Sequence, residues 1–198
     1  MFGFPLIIGR KNLYSIVHSN QFKMLLVSIS VGIISGVFIA FVRLNLGMPG
    51  HKAFFWMTPV LIARLRGGCK IGTTAGGLFA ALTTYSLGAN LAGGVIGMPL
   101  IAVAGMILDW VVNYIEKNNI SGLSVVLILG FAGAIANIVC LTKRLILPAG
   151  INPHFILGVS GPWIRLCSYA FFGLLSGVVA SISTKLIQSK QLQKKDKV

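Results

Sequence analysis

An all-α bundle of about six membrane-crossing helices is the architecture this sequence predicts, and three observations carry that expectation. The chain is 56% hydrophobic, with a mean hydropathy of +0.88. Charged residues make up only 10% of it, where a soluble domain carries about 25%. Its apolar residues fall into six runs joined by short connections, at 23–42, 49–66, 71–88, 93–115, 123–147 and 162–187. The predicted organisation is a cytoplasmic N-terminal segment over 1–22, a transmembrane helical domain over 23–187 and a basic cytoplasmic tail over 188–198.

The opening residues MFGFPLIIGRKN place apolar residues before charges, the reverse of a signal peptide, so the first run is expected to be retained as a helix. It carries a small residue at every fourth position: Ser28, Gly32, Gly36 and Ala40. In lipid such stripes let helix backbones approach closely, and that approach supplies the contact energy. Most such stripes are expected to serve packing within the bundle; this one, which runs the full length of its helix, is the candidate for a partner subunit. The second run opens on Pro49, whose missing N–H costs nothing in a first turn. Helical from 49 to 66, it would reach roughly 27 Å, enough for a bilayer core when its ends snorkel. His51 and Lys52 fall in its first turn, with Phe55 and Trp56 one turn below. Pro59 frees the Phe55 carbonyl, which in a membrane needs a partner or a wet cavity, so a pocket is expected here.

The third run repeats the small-residue ladder at Gly72, Gly76, Ala80 and Thr84, and the sixth at Gly173, Gly177 and Ser181. The fourth holds Asp109, one turn before Asn113 and two before Lys117. Either Asp109 pairs with Lys117 or a neighbouring helix's arginine, or it marks a proton path. Asn137, midway along the fifth run, serves either a helix–helix hydrogen bond or a ligand. The sixth run enters through Gly161 and Pro162 and continues into the tail KLIQSKQLQKKDKV, whose lysines are expected near anionic lipid headgroups.

Charge sets the orientation. With alternating helices and a cytoplasmic N-terminus, twelve of the 17 basic residues lie inside and five outside, namely Arg43, Lys52, Lys143, Arg144 and Arg165. That asymmetry predicts both termini inside. It also accounts for the net charge of +14 without nucleic acid. The outer five have no acidic residue on their side, and His51 and His154 join them. They either snorkel to lipid phosphates or converge on an anionic or strongly polar solute, for which an arginine fork suits a carboxylate or phosphate. In the second case Arg43, Lys52, Arg144 and Arg165 would supply charge, while Trp56 or Trp163 stacks on a ring.

Enzyme chemistry finds little purchase. Gly158-Val-Ser160-Gly161 has the form used by rhomboid-type intramembrane proteases, but their general-base histidine follows the serine, and the last histidine here, His154, precedes it. Asp109, Glu116 and Asp196 are the only acids, too few for a carboxylate-held metal, and Cys69, Cys140 and Cys167 are too scattered for a thiolate site. No phosphate-binding or dinucleotide-binding motif occurs. The expectation is no catalytic residue, no metal and no cofactor.

The run GMPGHKAFFWMTPVLIARLRGGCKIGTTAGG, together with the Ser28-xxx-Gly32-xxx-Gly36-xxx-Ala40 ladder on the first of six helices, resembles a substrate-binding S component of an energy-coupling factor (ECF) transporter. The similarity covers about 23–187. It implies a protein of a prokaryotic cell membrane whose first-helix motif faces a transmembrane coupling subunit, with paired ATPases supplying energy. It further implies a small-molecule solute bound near the outer surface, beneath the loop joining the first two helices. Arg43, His51, Lys52 and Trp56 are the contacts it implies. Two other readings stand beside it. One is a structural or assembly membrane protein that binds partner helices through its ladders; the other is a small carrier using Asp109 for protons.

Overall fold

A computed structural model of the protein describes residues 10–42, 49–89, 91, 94–146 and 162–195, with side chains over 20–42, 49–89, 91, 94–142 and 163–187. The architecture is all-α. Its helices are α1 (Arg10–Phe41), α2 (Lys52–Leu65), α3 (Gly72–Ser86), α4 (Met98–Lys117), α5 (Leu123–Ile146) and α6 (Pro162–Lys195), with a short 3-10 turn at Val95–Gly97 before α4. No strand occurs among the described residues.

Among the described residues, four stretches are long and apolar enough to cross a membrane: Asn20–Phe41, Val95–Lys117, Leu123–Thr142 and Trp163–Ile187. The second and third helices are shorter than the sequence predicts, at 14 and 15 residues. Turns take up both ends of the expected spans. The chain enters α2 through a turn at 49–51 and leaves it through Arg66 and Gly67, where a φ of +93° suits glycine in the left-handed region. Conversely, α1 begins 13 residues before the apolar run. The stretch RKNLYSIVHSNQF lacks proline and glycine, so polarity alone does not stop the helix. For the same reason α6 continues through most of the basic tail.

The short α2 runs through the middle of the bundle, packed by α6, α1 and α3. Trp56, Met57, Val60 and Leu61 are each no more than 1% exposed and form the centre of the core with Ala80, Ile101, Ala104 and Leu108. Around α2, α1 packs on α3, α3 on α4, α4 on α5 and α5 on α6.

The ladders explain the closest of these contacts. A Cβ on Gly32 would collide with the Gly76 carbonyl, and one on Gly36 would lie 2.6 Å from the Ala80 oxygen. Ser28 Oγ sits 2.7 Å from where a Gly72 side chain would begin. Of the stripe that was the candidate for a partner, Ser28, Gly32 and Gly36 are therefore filled by the third helix of the same chain, and Ala40 is half-buried. Packing within the bundle, also expected of such stripes, is the use seen at those three positions in place of a partner interface. Two ladders of equal spacing in one chain satisfy each other, as they need no second subunit to come within backbone contact. On the other side of the bundle Gly173 meets the Gly133 carbonyl and Gly177 the Leu129 carbonyl.

Candidate functional site

Two polar constellations lie at opposite ends of α2. At its start, the turn through Pro49, Gly50 and His51 is stitched to α5 and α6. Ser168 Oγ donates to the Pro49 carbonyl at 2.6 Å. Asn137 Nδ2 donates to the Tyr169 carbonyl at 2.8 Å and reaches the Gly50 carbonyl at 3.4 Å. Gly50 has φ +84°, and a Cβ there would press on the Tyr169 ring at 2.9 Å. The His51 ring stands edge-on to Phe172, centroids 6.3 Å apart. Buried backbone carbonyls need donors, and here serine and asparagine supply them and fix where α2 begins.

Beside that turn, Phe38, Ile39 and Val42 at the end of α1 face His51, Lys52 and Phe55 across a narrow cleft. Phe38 and Phe55 form its aromatic floor, with ring centroids 5.6 Å apart. The enclosed space is about 10 Å³, which is room for one water. Anything larger enters only if the end of α1 parts from the start of α2.

Of the residues named from the sequence, His51 and Lys52 share this cleft. Trp56 does not. It is 1% exposed and packs beneath Gly77 and against the core, so Phe55 holds the aromatic position beside the cleft instead. The reason is periodicity: α2 is apolar all round, and position 56 points toward α3. Asn137 is buried and engaged with backbone, which decides its role as a helix–helix link rather than a ligand contact. Trp163, 76% exposed on the first turn of α6, and the partly buried Arg165 do not line the cleft. Arg43 lies outside the described residues, as does the side chain of Arg144 on α5.

The other end of α2 holds a network centred on Arg64, 1% exposed. Its two terminal nitrogens grip Glu116 in a fork, at 2.8 and 3.0 Å, and one also donates to Asn113 Oδ1 at 2.6 Å. Its Nε faces Asp109 at 3.7 Å. Asp109 in turn accepts from the backbone N–H of Thr73 (2.9 Å), from that of Thr74 (2.8 Å) and from the Thr74 hydroxyl (2.7 Å). A carboxylate from α4 thus caps the N-terminus of α3, where orphan N–H groups and the helix dipole favour negative charge. Of the alternatives left open for Asp109, pairing with a neighbouring helix's arginine is the one seen, with Arg64 as that arginine. Glu116 and Asn113 complete this network beyond what the sequence predicts. The available signal was spacing, since 109, 113 and 116 repeat at four and three residues and so share one face of α4.

No protein-family model, no curated protein and no solved structure matches the chain.

Proposed function

We propose that this chain is a multi-pass membrane protein with both termini inside. In this reading it is the substrate-binding subunit of an ECF-type uptake transporter for a small polar or anionic solute in a prokaryotic cell membrane. The observation that carries the proposal is the cleft between the end of α1 and the start of α2, where Lys52 and His51 sit over Phe38 and Phe55. A cation, an imidazole and an aromatic floor beside the start of α2 are the chemistry a charged or polar solute needs. Four apolar helices support the membrane setting. The cleft has room for about one water, so this reading requires α1 to shift outward before a solute can enter.

Because α3 fills the α1 ladder, a coupling subunit would meet the opposite face of α1. There Ile33, Ile34, Val37 and Phe41 are exposed. Energy would come from ATPases bound to that subunit. In this reading the ladders serve packing within the bundle and Asp109 caps α3.

Lys52→Gln tests the site. Losing a charged contact of this kind costs roughly 2–5 kcal/mol, so affinity for the co-purified solute is expected to fall by about thirtyfold or more. Lys190→Gln, in the tail, is expected to leave it unchanged. Equal affinities measured by calorimetry in both variants would assign Lys52 to lipid phosphates instead.

A further inference from the structure

A groove of about 760 Å³ opens between α1 and α2 toward the Arg64 end, and nothing above uses it. Its walls are Met24, Val27 and Val31 from α1 and Pro59, Ile62 and Ala63 from α2. All are apolar. Met24 to Val31 spans roughly 10 Å along the helix, against about 15 Å for one leaflet of a bilayer core. At one end the groove meets Arg66, which is exposed, and Lys23, also exposed, precedes Met24 in the chain. The protein has three acidic residues. Asp109 and Glu116 are engaged with Arg64 and the α3 N-terminus, and Asp196 lies outside the described residues. Among the described residues, then, no carboxylate is placed to balance Arg66.

Apolar walls that end in cations match an amphiphile with an apolar tail and an anionic head. We propose that the groove holds one acyl chain of an anionic phospholipid, with its phosphate at Arg66 and Lys23. The assignment rests on the membrane-spanning reading above but not on the solute site, which lies at the other end of α2. A free phosphate would leave the apolar walls unused, and a zwitterionic lipid would bring its own cation to Arg66. A bound lipid here would wedge α1 against α2 at one end while the solute cleft opens at the other.

The test is native mass spectrometry of the full chain, extracted from membranes in detergent and offered dioleoyl phosphatidylglycerol and dioleoyl phosphatidylcholine at equal concentration. The first phosphatidylglycerol adduct is expected to be favoured by about tenfold. Arg66→Gln, an exposed position, is expected to erase most of that preference. Ala63→Phe, which fills the groove, is expected to lower occupancy by either lipid about tenfold; if that variant does not fold, Val27→Phe narrows the groove from the other wall. Glycerol phosphate without acyl chains is expected not to compete. Equal adducts of the two lipids, or an Arg66→Gln variant that binds like the parent, would overturn the assignment and leave the lipid to the basic tail. A stoichiometric polypeptide displaced by Ala63→Phe would overturn it in favour of a partner helix. Recovery of the chain in the soluble fraction would overturn the membrane-spanning reading itself, a failure separable from the lipid result.

Discussion

Arg64→Met is expected to destabilise the protein by about 3 kcal/mol, or roughly a 10 °C fall in melting temperature. Arg64 is the only cation found in ion pairs with the buried Asp109 and with Glu116 among the described residues. Removing it leaves one carboxylate inside the bundle with hydrogen bonds but no positive charge. Glu116 is 51% exposed and can turn to water, so its share of the loss is small. Asp109 cannot, because its oxygens are held by Thr73 and Thr74. Arg64→Lys should recover only part of the loss, since an ammonium cannot make the fork to Glu116 and still reach Asn113. Adding Glu116→Gln to Arg64→Met is expected to change little further, which a double-variant cycle of melting temperatures would read directly. A melting temperature within a degree of the parent would show that the network contributes nothing.

Gly173→Val is expected to have the larger effect, with no monodisperse protein recovered. Overpacking an ordinary core costs roughly 1–3 kcal/mol because side chains and backbone shift. Here the obstacle is the Gly133 carbonyl itself, and Gly133 is blocked by Gly173 in return. The two helices would have to separate along their whole seam. Ser30→Val, on the exposed face of α1, is the matched control and is expected to stay within about 0.5 kcal/mol. Size-exclusion profiles of the two variants from parallel preparations check the contrast. A sharp, parent-like profile for Gly173→Val would mean the α5–α6 contact is looser than its geometry.

These two results also mark what the sequence could and could not convey. All six helices were legible, because long apolar runs and a proline or glycine at their edges are local signals. The ladders were legible too, but not their partners. A small residue every fourth position says that a backbone comes close, not which one. The pairing of Gly32 with Gly76 depends on the chain folding back through α2. Trp56 was misplaced for a related reason: with apolar residues on every side of α2, no hydrophobic stripe tells a core position from a cleft position. His51 and Lys52 lie at the start of α2, but the helix begins at Lys52 and the proline sits in the turn before it, so proline marks the helix entry only to within a few residues. The Arg64 network was half legible. A buried carboxylate demands a cation, but its choice of Arg64 over Lys117 depends on the Arg64 side chain reaching α4 from the end of α2.

The most direct test of the proposed solute cleft is mass spectrometry of small molecules released from the detergent-purified chain, beside an unrelated membrane protein prepared in parallel. The account predicts one polar or anionic solute, near one per chain, enriched over the control and depleted in the Lys52→Gln preparation. A folded, membrane-extracted chain whose small-molecule content equals that of the control, with no such enrichment, would contradict it.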